Sequence, residues 1–568
     1  MKNLKAQFKI IIYLFLLLNI SSITLAKNLD KFSESKDISN YFSGILSIHD
    51  NQYEKSYFYL KSLNNLEDSH YSYSQYYQYS LIALNKFKEA TNYSKKLENK
   101  KLDNFESNLI SAVYYLKNKD LKRAVFYSKK AASKSQPNSI QNLISVSLNS
   151  WLNLQDITDL NAALNTLDVI PEKFQNIKNI QNFFAYCHYD SASVDEMFKK
   201  LTFNPDIDYS RYYFFYSNYL ISRNNKIKAG EILESSIVQY PRNLMLKQLK
   251  VDIEKKNIFK NKFNCKNITN IIAEIFFISS NAAASQNKYI TSNFYISLAK
   301  YLNSNFISYE TRYAENSFNI QEYKEAKKIY KKIKKNGSVY SWYASQKIAS
   351  IFIKQGQKRN ALNILKKSFE EIINPTTYEI FDYAEFLKNN ERYEESIRYY
   401  SKVLSSINPE DTLYAQVMNG RGVAYERTNQ WKKAEIDLLN ALKTRPDDAY
   451  VINYLAYSWI EKGINIEKSL KMLKKANKLR PNDGYIIDSL GWTLFKLKNY
   501  QEAKKYLEVA IRYMAADPVV NDHYADALWM NNKSLQARYY WNYVLKLEKT
   551  EEKLKKEIKK KLLFGLKS

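Results

Sequence analysis

The sequence predicts an all-α protein built from repeated helical hairpins, and three observations support this prediction. The 568-residue chain has only 10 glycines and 9 prolines, so residues that break helices or form tight hairpin turns are scarce. Its hydrophobic content is 45% and its aromatic content 15%, which is too apolar for a disordered chain. Small residues also recur at a constant spacing. We therefore expect a solenoid of stacked helix pairs.

The spacing is read from the small residue that opens the second helix of each pair. Ser56, Ala90 and Ala124 follow one another at equal intervals (124 − 90 = 90 − 56 = 34). Small residues let the two helices approach closely, and a proline ends the pair because it cannot continue the helix before it. The C-terminal half repeats this scheme at Gly422, Tyr425, Ala434, Leu438, Ala441 and Pro446; at Ala456, Ser469, Ala476 and Pro481; at Gly491, Ala503 and Ala510; and at Ala525, Ala537 and Trp541.

A helical hairpin with a period of 34 residues is typical of the tetratricopeptide repeat (TPR), which the mature chain resembles over nearly its whole length. The block Leu455–Trp541 in particular, with the runs 488–492 (DSLGW) and 521–529 (NDHYADALW), resembles a family of exported TPR proteins of alphaproteobacteria. That resemblance implies a helical-hairpin superhelix in two arrays, a periplasmic or envelope location and an interaction role. It does not imply a particular partner.

The chain divides into five predicted segments. The stretch from Leu244 to Asn281 matches the repeat poorly and is polar between Asn261 and Asn270, so we interpret it as a hinge between two arrays. The segments are a signal peptide (1–26), an N-terminal TPR-like array (27–243), an irregular junction (244–281), a C-terminal TPR array (282–547) and a basic C-terminal tail (548–568).

The first residues are typical of a secretory signal peptide. Three lysines precede the apolar run Ile10–Ile20, and Thr24-Leu25-Ala26 places small residues at the cleavage-determining positions. We expect Lys27 to be the mature N-terminus, in the periplasm. The alternative is an uncleaved signal anchor in the inner membrane that faces the periplasm. No later segment reaches the apolar length of a membrane-spanning helix, so none is expected in the mature protein.

The net charge is +28, and it falls to 28 − 3 = +25 when the three lysines of the signal are removed. Such a charge favours anionic envelope polymers such as polysaccharide, peptidoglycan or lipid headgroups as partners. The alternative is a genomic codon bias, because Lys, Asn, Ile and Tyr share A/T-rich codons and are over-used together. We expect no nucleic-acid ligand.

Catalytic motifs are lacking in the sequence, so we expect no enzyme activity and no cofactor. Cys187 and His188 are adjacent, which points their side chains apart on a helix. Asp522, His523 and Asp526 do not share one face squarely, and we expect no metal there. Cys187 and Cys265 can form one disulfide in an oxidising compartment, but their spacing does not decide the matter.

In TPR arrays the first helix of each pair lines the concave face, and exposed positions four residues apart contact an extended peptide. The repeat offset maps these positions onto four pairs: Asn419 with Val423, Asn453 with Tyr457, Asp488 with Trp492, and Asp522 with Asp526. Asparagine can bind peptide backbone as donor and acceptor, whereas aspartates favour a basic or aromatic-containing segment. The alternative is that these side chains are solvated or pack against the next repeat.

These observations predict a non-enzymatic periplasmic or envelope scaffold that binds proteins or peptides on its concave surface. The alternative function is a binder of anionic envelope polymers that uses the basic surface.

Overall fold

The computed structural model describes residues 35–63, 66–68, 70–154, 157–255 and 263–566, and the predicted signal peptide (1–26) lies outside them. These residues form an all-α fold of 30 helices in packed hairpin pairs. In chain order the helices are α1 Ser35–His49, α2 Tyr53–Lys61, α3 Tyr71–Ala83, α4 Phe87–Asn99, α5 Phe105–Lys117, α6 Leu121–Ser133, α7 Ile140–Asn153, α8 Leu160–Leu167, α9 Gln175–His188, α10 Val194–Leu201, α11 Ser210–Ser222, α12 Lys226–Gln239, α13 Leu244–Glu254, α14 Ile268–Ser285, α15 Tyr289–Leu302, α16 Ile307–Asn319, α17 Tyr323–Ile333, α18 Ser338–Lys354, α19 Lys358–Glu370, α20 Thr377–Asn389, α21 Tyr393–Leu404, α22 Tyr414–Arg427, α23 Trp431–Thr444, α24 Ala449–Glu461, α25 Ile466–Leu479, α26 Gly484–Lys496, α27 Tyr500–Tyr513, α28 Pro518–Met530, α29 Ser534–Lys546 and α30 Glu552–Phe564.

Local sequence determines where the helices of a pair begin and end. Asn85, Asn429 and Asn532 lie in the turn between the two helices with φ near +60°, a conformation that asparagine tolerates better than most residues. Aspartates cap the first helices α24, α26 and α28, where the side-chain oxygens of Asp448, Asp483 and Asp517 accept backbone N–H bonds. Each cap satisfies donors that the helix itself leaves unpaired.

The chain forms two compact units, and the boundary between them falls inside α19, after Ser368. This differs from the division that the sequence predicts at residues 244–281. That stretch contains α13 and most of α14, and both helices lie in the N-terminal unit (the described residues up to Ser368). The match to the repeat is poor here because α14 is apolar around most of its circumference, as a core helix must be.

In the N-terminal unit the hairpin α14–α15 packs against the first helices α3, α5 and α7. Tyr79 stacks on Phe294 with ring centroids 4.4 Å apart. The side chain of Asn293 donates a hydrogen bond of 3.0 Å to Oδ1 of Asn51. Nearly every residue of α5 is buried, which requires cover on both of its sides. The first-helix face of this array is therefore occupied by the chain's own hairpin.

The helix α14 is the one helix among the described residues that is long and apolar enough to cross a membrane. However, 61% of it is buried inside the protein. Arg211 in α11 and Glu274 in α14 also form a two-point ion pair, with both N–O distances at 2.6 Å. We therefore assign α14 to the core of the N-terminal unit.

The two cysteines are joined in a disulfide that ties the end of α9 to the residues just before α14, with a Cα–Cα distance of 5.9 Å. This pairing answers the question that the sequence left open. His188 uses its Nδ1 in a 2.9 Å contact with the carbonyl oxygen of Cys265. The adjacent cysteine and histidine thus serve the fold of this unit.

The C-terminal unit (from Phe369 onward) stacks the pairs α20/α21, α22/α23, α24/α25, α26/α27 and α28/α29, followed by α30. The small residues act as expected at the crossing of α26 and α27, because a Cβ on Gly491 would lie 2.7 Å from Cγ of Leu507. Helix α30 occupies the segment that we expected to be a tail. Its Ile558 is fully buried and packs into the core that includes Trp541.

Candidate functional site

The seven predicted site residues all lie on first helices of the C-terminal unit, but their environments differ. Three of them, Asn419, Asn453 and Tyr457, are half-buried on α22 and α24. The other four lie on α26 and α28 and are buried: Asp488, Trp492, Asp522 and Asp526. The predicted groove therefore has an open part and a part that is filled by contacts within the chain.

At the centre of the filled part, an imidazole bridges two repeats. Nδ1 of His523 lies 3.0 Å from both carboxylate oxygens of Asp488, and it must donate because a carboxylate only accepts. The same imidazole stacks on Trp492, with ring centroids 4.0 Å apart and an interplanar angle of 10°. Burial opposes protonation of His523, but the neighbouring aspartates outweigh it and raise the pKa of this histidine.

The last aspartate pair is filled by a lysine of the chain itself. Nζ of Lys561, in α30, lies 2.7–2.9 Å from all four carboxylate oxygens of Asp522 and Asp526. Nε1 of Trp541 donates a further bond of 3.0 Å to Asp526. Burial and the charge of Asp522 raise the pKa of Asp526 to about 7, although Lys561 acts in the opposite direction. The expected basic ligand of this pair is thus supplied from within the protein.

The side chains of this cluster are not arranged as a set of metal ligands. Among the residues that the structure describes, no group of three or more His, Cys, Asp or Glu side chains is arranged to hold one. His523 is paired with Asp488, and Asp522 and Asp526 form ion pairs with Lys561.

The open part of the predicted groove retains unused hydrogen-bonding capacity. Oδ1 of Asn453 is buried and has no hydrogen-bond partner within the described ranges. Tyr457 lies one turn further along α24, and burial together with the charges of Glu461 and Asp488 raises its pKa, while Arg427 acts in the opposite direction. This part of the row therefore combines an unpaired amide oxygen with a half-buried phenol in acidic surroundings.

Two contacts of the site were missed by the repeat analysis. Glu461 accepts a 2.8 Å bond from Nε1 of Trp492, and it lies four residues after Tyr457 on the same face of α24. Extending the four-residue spacing by one more step would have identified it. The sequence carries no comparable signal for Lys561, because it lies outside the repeat pattern.

The repeat region is similar to known proteins. Residues 311–550 match the family model described as tetratricopeptide repeat. The TPR repeat-containing protein PA4667 of Pseudomonas aeruginosa is 27% identical over 129 residues, which is 23% of this chain and 21% of that protein. The chain thus matches about a fifth of the length of that curated relative.

Solved structures with similar folds cover about a third of the chain. MamA (41-end) from Desulfovibrio magneticus RS-1 is 13% identical over 31% of this chain and 97% of its own, with a TM-score of 0.27. The thermophilic TPR protein TTC0263 of Thermus thermophilus is 14% identical over 33% of this chain and 100% of its own, with a TM-score of 0.29. A TPR protein of Parabacteroides merdae is 16% identical over 40% and 88% of the two chains, with a TM-score of 0.32.

The family match and the stacked hairpins agree with the period of 34 residues read from the sequence. Residues 311–550 thus match the tetratricopeptide-repeat model, and the chain has an all-α fold of the TPR superhelix type.

Proposed function

We propose that this protein is a non-enzymatic scaffold that binds an extended segment of a partner protein along the first helices of its C-terminal unit. The observation that carries the proposal is the unpaired, buried Oδ1 of Asn453 beside half-buried Tyr457. A buried acceptor without a partner costs about 1–3 kcal/mol. The Asn453 side chain would remove that cost by turning outward and accepting a backbone N–H of a bound segment. Asn419 occupies the equivalent position one repeat earlier and extends the same row.

The charges around this open part favour a partner segment with a basic or aromatic residue. Glu461 borders Tyr457, and Tyr454 on the same helix donates a 3.1 Å bond to Glu426. The filled part of the row already binds a basic residue of this chain, because its aspartates form ion pairs with Lys561. The basic residue of a partner would face Glu461 and the rim of the Asp488 site, next to the ring of Tyr457.

Export to the periplasm is part of the same proposal, with an inner-membrane signal anchor as the alternative. The signal-like N-terminus motivates it, and the disulfide between Cys187 and Cys265 supports it because such bonds persist in oxidising compartments. Sequencing the N-terminus of the envelope-associated protein distinguishes the two forms. Cleavage gives Lys27 as the first residue, whereas an anchor leaves the first residues in place.

The binding proposal is tested by affinity purification from cross-linked envelope extract with the Asn453→Ala/Tyr457→Ala variant. We expect recovery of specific partners to fall at least about tenfold, as for the loss of a central contact residue. The matched control is Asn440→Ala/Tyr485→Ala, which removes the same side-chain types at positions outside the row. Equal recovery by all three proteins would contradict the proposal.

A further inference from the structure

Helix α30 has two faces with different chemistry. Its inner face carries Leu554, Ile558 and Leu562, which pack into the core of the last repeat. Lys561 lies at the edge of this face and is held by its two aspartates. Because these contacts fix the rotation of the helix, the direction of its other face is also fixed.

The outer face is predominantly basic and is apolar at its end. Lys553, Lys556 and Lys560 follow one another at helical spacing and are exposed, as is Lys559. One exposed acidic residue, Glu557, lies beside this row. The face ends in Leu563 and Phe564, whose exposed fractions are 73% and 76%. Two large apolar side chains at the tip of a lysine-rich helix are costly to leave in water.

The apolar tip continues onto the neighbouring helix. The Arg538 side chain of α29 donates a hydrogen bond to the carbonyl oxygen of Leu562, which places this part of α29 beside the end of α30. Two neighbours of Arg538 on α29 are exposed as well. Leu535 lies one turn before it and has an exposed fraction of 83%, and Tyr539 follows it directly with an exposed fraction of 68%. Four exposed apolar side chains therefore lie near one end of the unit, next to the row of lysines.

We propose that this end of the C-terminal unit docks on a membrane surface that contains anionic lipids. In this arrangement the outer lysines of α30 lie against lipid phosphates, while Leu563 and Phe564 enter the boundary between headgroups and acyl chains. Clusters of four to eight basic residues on an amphipathic helix are typical of anionic lipid binding. Exposed apolar side chains can be buried in a bilayer, but they gain nothing by contact with a purely polar polyanion. Basic and apolar side chains together therefore favour anionic lipid over nucleic acid or polysaccharide as the ligand. The proposal does not depend on the peptide groove.

The lysine row is tested with the full-length protein and vesicles of phosphatidylcholine with or without phosphatidylglycerol, measured by co-sedimentation at low and high salt. We expect binding only to the anionic vesicles, weakened by salt. Each lysine near such a surface contributes about a fivefold factor, so Lys556→Gln/Lys559→Gln/Lys560→Gln should weaken binding about a hundredfold. The control Lys471→Gln/Lys474→Gln/Lys478→Gln removes three exposed lysines of α25 and should leave binding unchanged.

The apolar tip is tested with Leu563→Ser/Phe564→Ser, which should weaken vesicle binding at least about tenfold. Ile436→Ser, at another exposed apolar position, is the control and should bind like the parent. All variants change exposed side chains, and equal melting temperatures verify that they remain folded. The proposal is overturned if no variant differs from its control, if neutral vesicles bind equally, or if the serine variant binds normally. Tighter binding to duplex DNA than to anionic vesicles would overturn it in favour of a nucleic-acid surface.

Discussion

Lys561 illustrates how one residue can change the meaning of a predicted site. Asp522 and Asp526 occupy positions that contact ligands in a TPR groove, yet here their carboxylates are buried. Buried carboxylates need a counter-charge, and α30 supplies it from 35 residues beyond Asp526. The spacing of the repeat identifies the aspartates but contains no information about a lysine outside the repeat.

Replacing Lys561 with methionine should destabilise the C-terminal unit. The substitution keeps the apolar stem but leaves two buried carboxylates without their partner, and breaking a buried ion pair in this way costs about 3 kcal/mol. Urea unfolding of the full chain, followed by hydrogen exchange in peptides from residues 369–568, measures the change. Lys559→Met, at an exposed position of the same helix, is the control and should change stability by less than about 0.5 kcal/mol. Equal effects of the two substitutions would show that the ion pair contributes little.

His523 should make the stability of the C-terminal unit depend on pH. Its pKa is raised in the folded protein above the ordinary value of 6.5. The folded state therefore binds the proton more tightly, and this stabilisation is fully present below pH 6.5 and is lost as the pH rises through the folded pKa. The free energy of unfolding of the parent, relative to His523→Gln, should thus decrease as the pH rises from about 6 to 9. A constant difference across this range would contradict the prediction.

At the scale of elements, α14 shows why a poor match to a repeat does not identify a hinge. The TPR pattern describes helices that are apolar on the faces toward their pair and their neighbours. An inserted core helix is buried on more sides and loses that pattern. Ile271 and Phe276 are fully buried, and Glu274 is paired with Arg211. The irregular signal therefore indicated extra burial in the N-terminal unit.

The two helical glycines Gly491 and Gly230 should respond oppositely to the same substitution. Gly491→Ala places a Cβ 2.7 Å from Cγ of Leu507, so the helices must move apart at a cost of about 1–3 kcal/mol. Gly230 in α12 has nothing within 4 Å of the added Cβ. Gly230→Ala should therefore stabilise its helix by about 0.5–1 kcal/mol, because alanine has the higher helix propensity. Urea unfolding read separately in each unit tests both signs, and a stabilising Gly491→Ala would contradict the packing argument.

At the scale of the whole molecule, the disulfide should stabilise one unit and not the other. It closes a loop with a sequence separation of 78 residues, which corresponds to about 4 kcal/mol by restriction of the unfolded chain. Cys187→Ser/Cys265→Ser should therefore lower protection against hydrogen exchange in peptides up to Ser368. Peptides from residues 369–568 serve as the internal control and should be unchanged. A loss of protection across both units would show that they unfold together.

The sequence by itself determined the fold class, the period of 34 residues and the helices on which the site residues lie. These features repeat along the chain and depend on neighbours a few residues away, so the spacing of Ala434, Gly491 and Ala503 is enough to recognise them. The tertiary structure alone decided three further features: the α14–α15 hairpin over the N-terminal array, Lys561 against Asp522, and the Cys187–Cys265 bond. Each of these joins elements far apart in the sequence, and such long-range contacts leave no periodic trace. Asn453 and Tyr457 remain the half-buried part of the row. No distant segment of the described chain donates a hydrogen bond to the amide oxygen of Asn453.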